Sequence, residues 1–237
     1  MQQYLTSKKS LYHSHLILLL AIALWYFPYS QQIWLAVDGA IFNILNGSLV
    51  DAPKAQFFWG MLNHKREVWL NMVAALGISS YAIYANAPGT RLKLLLRITY
   101  FIIFLEVALW IQNYIVDDVL LIMRHSPSLE LKPHVMLSKV LNNPLIKDSS
   151  GTQSCLPAGH AFALLYWAGF TWICCKRNIG YVALALALFL CLPRLFSGAH
   201  WFSDVVVTGV LAWIWVSWGC QLYKLATQLI IPKRSSL

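Results

Sequence analysis

The chain has 237 residues, of which 59% are hydrophobic and only 11% charged, and its formal net charge is +9. A soluble domain carries about 25% charged residues, so this composition excludes an ordinary water-soluble protein and makes the bilayer the solvent. The Lys and Arg residues lie in short loops between apolar runs. That placement suits membrane orientation and anionic headgroups better than nucleic acid.

Residues 1–10 are polar and the run from Leu11 to Tyr29 is apolar. The run is long and no small-residue cleavage site follows, so it reads as a retained first span rather than a signal peptide. From Gln31 to Lys65 the chain is mixed, with Ile33, Trp34, Val37, Ile41, Ile44 and Leu45 at helical spacing. This predicts a helix lying along the interface. A second span is predicted from Val68 to Ala85, followed by an Asn86–Thr90 turn. The third begins at Arg91, Lys93 and Arg97 and extends to Ile122. It contains Glu106, an ionisable group expected to be buried with a functional or pairing role, and carries Asp117 and Asp118 near its end.

Residues 123–158 form the longest polar segment, with Pro127, Pro133, Pro144 and a polar run from Lys147 to Ser154. Such length suggests a lid, a binding loop or a disordered link. The fourth span is predicted from His160 to Cys175, the fifth from Ile179 to Leu192 with Pro193 kinking or ending it, and the sixth from Trp201 to Leu225. The expected fold is an all-α, polytopic helical bundle of six spans in a single domain, residues 1–237. Six spans put both termini on one face together with ten of the 18 basic residues, so the termini are expected to be cytoplasmic. Four cysteines fall in apolar spans and Cys155 stands alone in a loop, which gives neither a disulfide framework nor a zinc pattern.

Two short motifs gather on the opposite face: Pro157-Ala158-Gly159-His160 and Pro193-Arg194…Ser197-Gly198-Ala199-His200…Asp204. His200 and Asp204 are four apart at a helix start, within reach of each other. A carboxylate on one imidazole nitrogen leaves the other as nucleophile or base. Arg194, on the preceding helix end, offers a two-donor fork for phosphate oxygens. His160 opens a span behind small residues whose backbone N–H groups favour an anion. Two His and an Asp also make a conceivable metal-ligand set, but no His-Glu-x-x-His or His box occurs. Ser197 lacks a nucleophile-elbow context. A transporter is disfavoured by the absence of paired halves.

These residues resemble the motifs of the phosphatidic acid phosphatase type 2 superfamily. Its Pro-Ser-Gly-His motif corresponds to Pro157–His160 with Ala158 for Ser. Its Ser-Arg, five residues, His, three residues, Asp motif corresponds to Pro193–Asp204 with Pro193 for Ser. The Lys, six residues, Arg-Pro motif is altered: Arg124 is kept, Asp117 stands at the Lys position, and Pro127 is displaced. Asn86–Gly89, Arg124–Pro127, Lys147–Ser149 and Gly198–Phe202 look similar to the bacterial subgroup that moves phosphate from undecaprenyl diphosphate to lipid A 1-phosphate. The resemblance implies a haloperoxidase-like core and metal-free, cofactor-free chemistry. In that chemistry His200 is the nucleophile that forms a phosphohistidine, Asp204 orients it, and His160 is the acid. Arg194 and Arg124, with Ala158, Gly159 and Gly198, bind phosphate. It also implies lipid phosphate or pyrophosphate partners, no nucleic acid, no obligate protein partner, and a periplasm-facing site in a bacterial inner membrane.

Overall fold

In the computed structural model, residues 8–119, 124–146, 155 and 158–230 are described. The long helices are α1 (Lys8–Tyr26), α2 (Pro28–Gly47), α4 (Glu67–Tyr84), α5 (Pro88–Asn113), α8 (Gly159–Cys174), α9 (Arg177–Phe196) and α10 (Phe202–Ile230). Short helices α3 (Pro53–Leu62), α6 (Pro127–Glu130) and α7 (Leu137–Val140) fill the connections, and a π-helical turn, Tyr114–Val119, extends α5. The protein is thus the expected all-α helical bundle. Pro28, Pro53, Pro88 and Pro127 each open a helix, where a missing N–H costs nothing and φ is already helical.

Among the described residues, three helices are each long and apolar enough to cross a membrane by themselves: Pro88–Asn113, Arg177–Phe196 and Phe202–Gln228. Many large apolar side chains of α1, α4 and α5, such as Leu19, Val73 and Ile103, point outward, which suits lipid rather than water as solvent. This is a membrane protein.

Helix α8 forms the centre, packed against α9 and α10. On its α9 side the seam is small: Ala161 and Ala168 meet Ala183 and Ala187, the close approach that lets helices associate where lipid supplies no hydrophobic drive. At Gly180 a Cβ would lie 2.9 Å from the Trp172 Cα, so the backbones touch there. Towards α5, Phe170 stacks on Phe101 at 4.3 Å, and the Tyr166 hydroxyl donates to the Phe101 carbonyl at 3.2 Å. A buried phenol is thereby satisfied.

The basic turns share one face. Lys176 Nζ, between α8 and α9, donates to the Ala85 carbonyl of the α4–α5 turn at 3.0 Å. Arg91 closes the same turn by donating to the Asn86 and Tyr84 carbonyls. Arg97 lies over the Tyr223 ring of α10.

Four sequence expectations change. The mixed segment is two helices, not one interfacial helix, and Ile33 and Ile44 face outward while Asp38, Phe42 and Asn46 are buried. In lipid, apolar groups find solvent outside and polar groups need protein partners inside. Pro193 does not end its helix; α9 continues through it to Phe196. Glu106 is exposed on α5 rather than buried. The polar segment, over residues 124–146, is packed structure: the Asn46 side chain donates to the Val135 and Phe196 carbonyls and accepts from the Val135 N–H, while Val135, Leu137 and Ile146 share a core with Leu49. Its Lys147–Ser154 run and Pro157 lie outside the described residues.

Candidate active site

The site begins with how α9 ends. Gly198 has φ +71°; its N–H donates to the Leu195 carbonyl at 3.2 Å, and the Ala199 N–H donates to the Arg194 carbonyl at 2.9 Å. This is a Schellman motif, with glycine at the left-handed position. It turns the chain back so that Arg194, in the last helical turn, and His200, just past it, face the same space. Gly198 is not a phosphate ligand as expected. Its N–H is spent in the motif, its carbonyl accepts from the Ser128 N–H and Oγ, and Phe42 covers it closely enough that a Cβ would lie 2.5 Å from the ring.

Helix α10 starts at once, and Asp204 sits at its third position. Its Oδ2 accepts the Trp201 N–H at 2.9 Å, the backward half of a capping box, placing negative charge at a helix N-terminus. Its Oδ1 accepts from Arg124. The expected orientation of His200 by Asp204 therefore takes a different form. The His200 Nδ1 lies 2.9 Å from the Cys155 carbonyl, and a carbonyl only accepts, so Nδ1 carries the proton and Nε2 presents its lone pair. The Cys155 segment is itself held, its N–H on the Arg124 carbonyl and its Sγ on the Ala199 carbonyl. Burial, with the Asp204 carboxylate nearby, pushes the Cys155 thiol up to about 12, so it stays protonated at neutral pH.

His160, in the first turn of α8, meets His200 with ring centroids 5.2 Å apart, inclined at 44°. The Arg194 Nε donates to its Nε2 at 3.2 Å. Arg194 is only 2% exposed, while both rings are half-buried at the rim. Two imidazoles and a guanidinium from two helical junctions, the start of α8 and the α9–α10 turn, thus converge. Among the described residues nothing lies within 4 Å of a Cβ at Gly159, and first-turn N–H groups have no intrahelical acceptor. Ala158 departs from expectation: its N–H donates to the Thr208 Oγ1 at 3.3 Å and the residue is fully buried.

Arg124 also departs from its expected role on phosphate. Its NH2 donates to Asp38 Oδ2 at 2.7 Å, and its NH1 donates to Ser203 Oγ at 2.9 Å and to Asp204. Its guanidinium lies over the Trp201 ring, 5.0 Å from the centroid. Sequence reasoning missed Asp38, the Cys155 carbonyl, Ser203 and Thr208. Asp38 had a signal, being an ionisable residue inside an apolar helical segment, the criterion applied to Glu106. A backbone carbonyl has none. Ligand atoms of Cys155, His200 and Asp204 lie within 4.8 Å of one another, yet the donor set suits a metal poorly: the carboxylate already serves Arg124 and the Trp201 N–H, and His200 Nδ1 and Cys155 Sγ are each engaged with a backbone carbonyl.

Residues 126–228 match the family model of the PAP2 superfamily. The chain carries a PAP2 domain and is a membrane enzyme of the lipid phosphatase and phosphotransferase kind. Lipid A 1-diphosphate synthase of Escherichia coli (strain K12) is similar to it, 27% identical over 184 residues that cover 77% of this chain and 74% of that protein. No solved structure matches the chain.

Proposed function

We propose that this enzyme moves the terminal phosphoryl group of undecaprenyl diphosphate to lipid A 1-phosphate through a phosphohistidine on His200. The observation that carries this reading is the His160–His200 pair at 5.2 Å, with Arg194 on His160. Nε2 of His200 bonds to the terminal phosphorus as the bridging P–O bond breaks. The lipid monophosphate leaves with its oxygen protonated by His160, a general-acid contribution of about 10²–10⁴ in rate. Before that step the incoming phosphate draws the Arg194 fork onto its own oxygens, which frees the His160 Nε2 to carry the proton. In the second step an oxygen of the acceptor phosphate attacks phosphorus, the P–N bond breaks, and the acceptor's proton returns to His160.

The choice of donor and acceptor rests on the similarity to lipid A 1-diphosphate synthase. The setting we infer is a bacterial inner membrane with cytoplasmic termini and a periplasmic site. The basic turns around Arg91, Arg97 and Lys176 on one face support it. Hydrolysis shares the first step and differs only in the acceptor.

The test is purified protein with undecaprenyl diphosphate labelled in its terminal phosphate. Label is expected on His200 after quenching, on lipid A when acceptor is present, and nowhere on protein in His200→Ala. Free phosphate released at the same rate with or without lipid A would replace the transferase by a hydrolase. Full turnover by His200→Ala would remove the nucleophile assignment.

A further inference from the structure

We propose that Asp38 is a positioning residue for phosphoryl transfer, setting the charge around His200 by dividing Arg124 between two carboxylates. Asp38 lies on α2, outside the segment matched to the PAP2 family, and is 1% exposed. Its Oδ1 accepts the Ser203 N–H at 2.8 Å, and its Oδ2 accepts both the Ser203 hydroxyl at 2.5 Å and the Arg124 NH2 at 2.7 Å. The Arg124 NH1 donates to Ser203 and Asp204, and Asp204 holds the Trp201 N–H, one residue after His200. Asp38 thus grips the start of α10 directly through Ser203 and indirectly through Arg124.

Among the described residues, one guanidinium between two carboxylates is one positive charge short, in a region where charges are poorly screened. Among the described residues, the groups around His200 are His160 on α8, Arg194 on α9, the Cys155 thiol, Asp204 on α10, and, behind Asp204, Arg124 and Asp38. Nucleophilic attack converts the neutral His200 ring into a cationic phosphoimidazolium. Surplus negative charge stabilises that cation and also favours the protonated resting ring. Without Asp38, Arg124 would turn wholly to Asp204 and neutralise it.

This inference rests on His200 being the nucleophile, and one experiment separates the two. The pH–rate profile and phosphoenzyme yield are measured for wild type, Asp38→Asn and Arg124→Gln, with detergent-solubilised protein and undecaprenyl diphosphate. Asp38→Asn removes a negative charge, so the acid limb, where the nucleophile deprotonates, is expected to move to lower pH by about half a unit or more. Its kcat falls about tenfold or more, with KM little changed. Arg124→Gln removes a positive charge and moves the limb the other way. Either variant suffices if the other fails to fold, and Asp38→Glu, which keeps the charge, should leave the limb in place. An unmoved limb in a folded Asp38→Asn or Arg124→Gln protein overturns the proposal while leaving the phosphohistidine intact. Absence of label on His200 in wild type overturns the mechanism beneath it.

Discussion

At the scale of single residues, the site is ordered by hydrogen bonds whose direction leaves little choice. The Cys155 carbonyl holds the proton on His200 Nδ1, so the lone pair is on Nε2. Arg194 donates to His160 of the histidine pair, whereas Arg124 is paired with Asp38 and Asp204. The two arginines therefore answer substitution differently. Arg194→Lys places a point charge where a planar fork is needed, and kcat/KM is expected to fall on the order of 10–100-fold with the protein still folded. Activity within twofold of wild type would show that Arg194 does not grip phosphate.

At the scale of elements, two helix ends do the positioning. The Schellman motif of α9 and the capping carboxylate of α10 leave only a short turn between Arg194 and Asp204. That turn works because residue 198 has no Cβ: its φ is +71°, and Phe42 fills the adjoining space. Gly198→Ala is expected to destabilise the protein by about 1–3 kcal/mol from backbone strain alone, with the clash adding to it. The check is thermal unfolding in detergent beside Ser197→Ala, which alters the same turn without the strain. Equal melting temperatures for Gly198→Ala and wild type would contradict the assignment. The α8–α9 seam is the second element-level device, since its alanines let the helices carrying His160 and Arg194 approach closely.

At the scale of the molecule, the polarity is inverted relative to a soluble bundle. Ile33 and Ile44 face outward while Asp38 and Asn46 are buried, each with protein partners. The basic turns mark one face and the histidine pair the other. If the termini are cytoplasmic, a cysteine introduced at Asn178, exposed in the first turn of α9, should react with impermeant maleimide only after the cytoplasmic face is opened. One at Leu129, exposed on α6, should react in spheroplasts directly. Labelling of both from the same side would refute the orientation.

Much of the fold was legible in the chain because the bilayer imposes local rules: apolar runs of sufficient length become helices, prolines open them, and polar breaks separate them. The two histidine motifs were legible for a similar reason, each being a short run at a helix junction. Only the tertiary structure decided that the two rings meet, that a carbonyl 45 residues away sets the His200 tautomer, that Arg124 faces two carboxylates, and that Gly198 serves a turn rather than a phosphate. Those outcomes depend on contacts between residues far apart in sequence. Hydrophobic periodicity states which side of a helix avoids water, but in lipid it carries no information about which buried polar group will find which partner.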